Sequence, residues 1–535
     1  MVTRVDPGPA PNTAPVADTA CVQVLDWPSM SLGQKAAGVI GAITDRIRIG
    51  NGLDQRDLPP VGWYEHGQAV QRLLDSFAAV PAGQRVRLAK KTSNLFRGRS
   101  GDMVGLDVSG LAGVIEVDPV EQTADVQGMC TYEDLVDTLL PFGLVPTVVP
   151  QLKTITLGGA VTGMGVESTS FRNGLPHEAV LEMDVLTGTG EILTCSPTQN
   201  ADLFRGFPNS YGSLGYTVRL KITCEKVPPY VALRHVRFDD VQSLTDALAQ
   251  ISESKEYDGE QVDYLDGVVF SLDEGYLTLG RQTDEPGPVS DYTHGRIYYR
   301  SLQHPSGISH DRLTVRDYIW RWDIDWFWCN RAFGAQNPTI RTMWPRDLMR
   351  SSFYWKIIGW DRKYDLADRI EAHNGRPPRE RVVQDIEVTP ANLPEYLTWF
   401  FTHCEIEPVW LCPIRLADGA AALAGRTEVL DTDVAASSPW PLYPLTPGDT
   451  WVNVGFWSSV PADLMGPDAA PGAFNREIER VVAGLGGHKS LYSEAFYTRE
   501  DFAALYGGDL PEKLKAVYDP DGRFPGLYEK TVTSI

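Results

Sequence analysis

The chain has 535 residues, 43% of them hydrophobic and 22% charged, too many for one hydrophobic core, so two or three domains of a globular protein are expected. Its 48 basic against 70 acidic side chains leave a formal charge of −22, which repels phosphate backbones; this excludes nucleic acid as the main partner and gives no electrostatic attraction to an anionic membrane. The seven cysteines are odd in number and form no C-x-x-C pair, so neither a disulfide framework nor a zinc site is expected, and the compartment reads as reducing and cytoplasmic.

Residues 1–20 are rich in Pro, Ala and Thr without periodicity and are expected to be disordered, the start of an N-terminal extension reaching to about residue 60. The apolar stretch Ala36–Ile43 falls far short of the roughly 20 residues that span a bilayer, so no signal peptide or membrane anchor is read. Apolar residues at helical spacing predict a helix from Trp63 to Phe77, broken at Pro81-Ala82-Gly83. An extended segment, Arg85–Ala89, leads into a polar loop, Lys90 to Asn94. Val114–Val117 and Thr123–Val126 flank a turn and predict a strand pair. A helix follows, opened by Thr131 with Asp134 three residues on and closed by Pro141 and Gly143.

From Val148 to Gly174 the chain is dense in Gly, Ser and Thr, small residues of the kind found where backbone must approach another group closely. Gly163-Met164-Gly165 invites a dinucleotide-fold reading. Ser168 stands where the third glycine belongs, however, and Val180–Leu186 with Glu191–Cys195 reads as a hairpin rather than part of a strand–helix–strand unit. The alternative is a cradle in which backbone N–H groups and small hydroxyls neutralise a pyrophosphate.

Pro150-Gln151-Leu152, Thr156-Leu157-Gly158-Gly159, Gly163 to Ser168 and Gly174-Leu175 resemble the FAD-binding block of the sterol Δ24-reductase family, within the vanillyl-alcohol-oxidase superfamily. Asn200 to Phe204, Gly212 to Gly215, Val382 to Asp385, Pro408 to Pro413 and Arg499 to Phe502 recur in the same order, so the likeness covers about residues 85–530. It implies an α+β fold: an FAD-binding domain of the vanillyl-alcohol-oxidase (PCMH) type at 61–226, a substrate cap at 227–440, and a segment, 441–535, returning to the flavin domain. The residues it places at the cofactor are Thr92, Ser93, Asn94, Thr156, Leu157, Gly158, Gly159, Thr162, Gly163, Gly165, Glu167, Ser168 and Gly174. The wider superfamily often tethers FAD through His or Cys. Neither occurs in the 90–94 loop, so a non-covalent flavin is expected, with His177 as the alternative anchor.

Two departures stand out. The membrane segment of the animal enzymes is not found, and the middle of the chain carries an aromatic cluster, Tyr318, Trp320, Trp322, Trp326, Phe327 and Trp328, whose helical spacing favours partial burial in a core. The resemblance implies reduction of a carbon–carbon double bond in a lipid, with NADPH or NADH as electron source. The preferred acceptor is a methylene fatty acyl chain reduced to a methyl-branched one, as in bacterial relatives, with a Δ24-sterol as the alternative, and either substrate is compatible with transient membrane contact. An isolated alkene needs a proton as hydride arrives, and Tyr492, Glu494 and Tyr497 are the candidate acids, with the aromatic cap and the segment around Asp385 next in line. Leu491 to Phe496 also reads as an ordinary alternating strand, His488 and Lys489 as solvated, and Cys412 as strand core. An oxidase of an alcohol, sugar or lactone, and a lipid-binding protein with a vestigial flavin site, remain open, as does the oligomeric state.

Overall fold

The computed structural model describes residues 55–90, 96, 103–293, 295–304, 307–364 and 378–533. Most of the N-terminal extension and the loop residues Thr92, Ser93 and Asn94 lie outside the described residues. Helix α1 (Trp63–Ala78) buries Ala69, Leu73 and Phe77, four residues apart, as its periodicity requires. Strands β1 (Val86–Leu88) and β2 (Val104–Leu106) pair in parallel. The predicted hairpin is β3 (Val114–Asp118) and β4 (Thr123–Gln127), followed by α2 (Tyr132–Leu139), whose N-cap Thr131 accepts the Asp134 N–H.

After β5 (Leu144–Pro146) comes α3 (Leu157–Gly163), then β6 (Val180–Leu186), β7 (Ile192–Cys195) and β8 (Tyr216–Lys226). The first large sheet runs β3-β4-β8-β6-β7, with β5 on β8, and every pairing is antiparallel. The dinucleotide fold needs parallel strands joined by crossover helices, so that reading is set aside.

The second sheet is built from β9 (Tyr230–Phe238), β10 (Tyr264–Ser271), β11 (Glu274–Thr283), β12 (Ile308–Thr314), β13 (Arg379–Val388), β14 (Val409–Ile414), β15 (Trp451–Pro461) and β16 (His488–Lys489). Its order is β12-β9-β11-β10-β14-β15-β13-β16, all antiparallel. Alternation along the strands divides it. Val382, Ile386, Leu411, Val454 and Phe456 pack into a core with α4 (Val241–Ser254), α5 (Leu393–His403) and α6 (Ala473–Gly484), while Trp410, Gly455, Trp457 and Asp385 point the other way. The expected boundary at 440 therefore cuts this sheet, because β15 and β16 complete it. The segment after β16 does meet the first half: in helix α7 (Leu510–Tyr518), with Leu514 against Gly206 and the Tyr518 carbonyl accepting the Gly188 N–H, and beyond it, where the Arg523 carbonyl accepts the Val86 N–H and Lys530 Nζ donates to the Gly212 carbonyl.

The aromatic cluster is buried but not helical beyond Ile319. The chain continues in tight turns, and Trp326, Phe327 and Trp328 have φ of 47°, 47° and 62°. His488 and Lys489 are not solvated: both are buried in β16, where Lys489 Nζ donates to Glu479 Oε1 at 3.1 Å and to the Glu494 carbonyl at 2.7 Å. Burial pulls the Lys489 ammonium down, and the Glu479 carboxylate works against that shift. Among the described residues no helix is long and apolar enough to cross a membrane.

Candidate functional site

A cavity runs between the first sheet and the cap-sheet face that carries Trp410, Gly455 and Trp457. Its small-residue wall is the 150–166 segment. Thr156 is extended (φ −90°) and its Oγ1 accepts the Gly159 N–H at 3.2 Å, which starts α3; Met164, at φ 56°, ends it. Gly158 presses the helix onto the sheet, its N–H on the Gly128 carbonyl at 3.0 Å, and a Cβ there would lie 2.3 Å from Thr217 Oγ1. At Gly159 a Cβ would instead pass Thr156 Oγ1 at 2.8 Å and point towards Lys90 Nζ, 4.0 Å away, on the cavity side.

The opposite wall is aromatic. The Phe327 ring centroid lies 5.2 Å from that of Trp410 and 5.0 Å from that of Trp457, and Phe96 is 5.3 Å from Trp457. Trp410 is fixed by its indole N–H, which donates to Asp266 Oδ2 at 3.1 Å; the same oxygen accepts from Arg321 at 2.7 Å and Trp322 at 3.0 Å. Strand register sets Trp410, Gly455 and Asp385 side by side on three neighbouring strands.

Tyr492 closes this wall, its hydroxyl oxygen accepting the Trp457 indole N–H at 2.7 Å. Asp385 sits against that hydroxyl and is held by Asn453 Nδ2 at 3.2 Å. Burial raises the Asp385 carboxyl to about 6, while hydrogen bonds from Asn453 and Tyr492 and the Lys489 charge restrain the rise. Burial, reinforced by the Asp385 charge, pushes the Tyr492 phenol well above its ordinary range, so it stays protonated.

Of the residues expected at a cofactor, Thr156, Gly158, Gly159, Thr162, Gly163 and Gly165 line the cavity. The Thr162 hydroxyl is also engaged within the protein, at 3.0 Å from Ser210 Oγ and accepting the Gly212 N–H. Leu157 faces the core instead. Glu167 and Ser168 lie behind the wall: the Glu167 carboxylate accepts from Thr169 N (2.8 Å), Ser168 Oγ (3.0 Å) and Gln151 Nε2 (3.3 Å), which gives a buried acid the donors it needs without a ligand. Gly174, at φ 72°, turns the chain beside Glu178.

Of the candidate acids only Tyr492 reaches the cavity. Glu494 is exposed and engages through its backbone carbonyl, and Tyr497 is buried against Tyr506, its carbonyl accepting the Tyr528 hydroxyl. The 491–497 segment is irregular rather than a strand, so its alternation does not bring Glu494 or Tyr497 beside Tyr492. His177 is buried with its ring 4.5 Å from Trp440 and does not line the cavity; among the described lining residues none is His or Cys. Trp457, Gly455 and Lys530 carry no local sequence signal of a place at the cavity, and Asp385 only that of a reserve acid. A charged residue between the apolar pair Val382-Val383 and Ile386 was the available signal.

A family model for an FAD binding domain matches residues 65–196. Delta(24)-sterol reductases of Macaca fascicularis and Homo sapiens are each 25% identical to this chain over 433 residues, 78% of it and 76% of each of them. Cytokinin dehydrogenase 3 of Oryza sativa subsp. japonica is 29% identical over 182 residues, 33% of this chain and 34% of its own. The chain carries an FAD-binding domain and is an FAD-dependent oxidoreductase.

The cavity of this FAD-linked oxidoreductase fits its cofactor on two counts. Arg87, Lys90 and Lys530 line it against one carboxylate, Asp385, in a chain of net charge −22, a local balance suited to a pyrophosphate. At Gly159 the missing side chain leaves the backbone open on the cavity side, as a closely approaching phosphate or ring requires.

Proposed function

We propose that this oxidoreductase holds FAD without a covalent link and reduces a carbon–carbon double bond in a lipid, with NADPH or NADH as electron source and Tyr492 as proton donor. The observation that carries the reading is Tyr492 itself: a phenol kept protonated, braced by Trp457 and set into a wall of Phe327, Trp410 and Trp457. When bound, FAD supplies the hydride. The protein must place the alkene, exclude water and give a proton to one carbon, leaving tertiary cation character on the other. Aromatic faces stabilise such a charge where carboxylates would trap it.

Two acceptors meet this requirement. A Δ24-sterol side chain is favoured by the likeness to the sterol reductases over 78% of the chain. A methylene fatty acyl chain, protonated at its CH2 and reduced to a methyl branch, fits the same chemistry. The test is to bleach the flavin anaerobically with NADPH or NADH, then time its reoxidation by a sterol, a methylene lipid and oxygen. Tyr492→Phe is expected to slow reoxidation by the alkene about a hundredfold, the scale of general acid catalysis, while leaving bleaching by nicotinamide nearly unchanged. Fastest reoxidation by oxygen, with no response to either lipid, would replace this reading with an oxidase.

A further inference from the structure

The Tyr492 phenol has one proton and two directions in which to send it. Its oxygen accepts the Trp457 indole N–H, and the Asp385 carboxyl lies against the same hydroxyl, held by Asn453 Nδ2. A carboxylate is an acceptor only, so ionised Asp385 draws the phenolic proton to itself and away from the cavity. A neutral carboxylic acid donates instead. The phenolic oxygen then accepts from Trp457 and Asp385 together, and its own O–H is left to turn towards the cavity that both residues line.

Resting on the alkene-reductase reading, we propose that Asp385 is a positioning residue: its protonation state decides whether Tyr492 offers its proton to the substrate, and its own proton then restores the phenol. The exchange balances. The Tyr492 O–H bond breaks as a C–H bond forms on the alkene, whose other carbon would take the hydride that FAD supplies when bound; the Asp385 O–H bond then breaks as the phenol O–H re-forms, and solvent reprotonates the carboxylate.

The surroundings suit a switch within the ordinary pH range. Besides Tyr492 and Asn453, Asp385 interacts with the Lys489 charge from β16, whose ammonium is already committed to Glu479, with Glu387 two residues along its own strand, and with the Cys412 thiol from β14; Tyr211 acts on Tyr492 from the glycine-rich side. Burial raises the Asp385 carboxyl, and hydrogen bonds from Asn453 and Tyr492 with the Lys489 charge hold the rise to about 6, where the Tyr492 proton can change direction.

The test compares wild type, Asp385→Asn and Tyr492→Phe as FAD-loaded proteins. For the wild type, reoxidation of the pre-reduced enzyme by an alkene acceptor is expected to fall about tenfold per pH unit above about 6, as the protonated fraction does. Asp385→Asn keeps an N–H donor towards Tyr492 at every pH, so its profile should be flat across the same range; Tyr492→Phe should be slow throughout. A wild-type profile retained in Asp385→Asn would overturn the proposal. Infrared difference spectra without any acceptor should show a carboxylic-acid band titrating near 6, with a coupled change in a tyrosine mode. The acid band should vanish in Asp385→Asn and the tyrosine change in Tyr492→Phe. Absence of the coupled pair in wild type would equally overturn the proposal. If no lipid reoxidises the wild type, the reaction reading falls, and the infrared titration alone decides the switch.

Discussion

Gly455 stands across the strand pair from Asp385, and a Cβ on it would lie 2.3 Å from Asp385 Oδ1. The missing side chain is what leaves room for the Asp385 carboxyl on the cavity face of the sheet. Its cost follows from linkage. The carboxyl rises from 3.8 to about 6 on folding, so its favourable contribution is complete below about pH 4 and is lost as pH climbs through 6. Asp385→Asn carries no such loss. Its stability advantage over wild type should grow between pH 4 and 6 to at most ~3 kcal/mol and stay level above, as read from urea melts at pH 4.5 and 7.5. A gap that is constant with pH would place the titration elsewhere.

The adjacent glycines of α3 should separate folding from cofactor binding. Gly158→Ala forces a Cβ onto Thr217 Oγ1 at 2.3 Å and the Gly128 carbonyl at 2.7 Å, an overpacking expected to cost about 1–3 kcal/mol in thermal or urea unfolding. At Gly159 the Cβ of a Val would lie 2.8 Å from the Thr156 hydroxyl and 4.0 Å from Lys90 Nζ, on the side that lines the cavity. Gly159→Val should leave the circular dichroism spectrum intact and weaken FAD binding about tenfold or more, the effect of a ~1.4 kcal/mol clash. Undiminished flavin in Gly159→Val would remove this glycine from the cofactor site.

Acid or heat denaturation should release all flavin into the supernatant. His177, the expected alternative anchor, is buried, pushed down to about 3 by that burial, and packed on Trp440 away from the cavity. A yellow pellet after centrifugation would contradict this.

Asp266 should be among the most sensitive positions outside the cavity. Its Oδ2 accepts from Arg321, Trp322 and Trp410, and the Arg321 guanidinium is fully buried over Tyr318 at 3.9 Å. Asp266→Ala strands that cation and should cost about 3–5 kcal/mol, with Asp266→Asn less severe. A loss below ~1 kcal/mol in urea melts would mean that the network is not what holds the aromatic wall.

Local features were legible where a local period produces them. Ala69, Leu73 and Phe77 mark α1, the apolar runs mark the β3–β4 and β6–β7 hairpins, and the small residues of 156–165 mark the wall of the cavity. The Trp410, Gly455 and Asp385 row was not legible, since it depends on the register of three strands brought together from distant parts of the chain. Lys489 looked solvated for a related reason: the Glu479 carboxylate that accepts its ammonium sits on α6, ten residues earlier, with a helix end and a turn between them. Glu494 and Tyr497 share with Tyr492 a C-terminal segment expected to return to the flavin, but the irregular backbone there turns only Tyr492 to the cavity.

The turn through Trp326, Phe327 and Trp328 places three bulky side chains in succession on left-handed backbone, which costs ~1–2 kcal/mol per residue. It is held by packing: Phe327 lies flat on Trp322, centroids 5.1 Å apart and planes 6° from parallel, and the Trp328 indole donates to the Trp457 carbonyl at 3.3 Å. A surface fixed from behind in this way cannot give when something presses on its front. It measures its guest like a gauge, so that one surplus methylene against Phe327 or Trp328 meets refusal worth ~1–3 kcal/mol, and discrimination among lipids would lie in what the wall turns away.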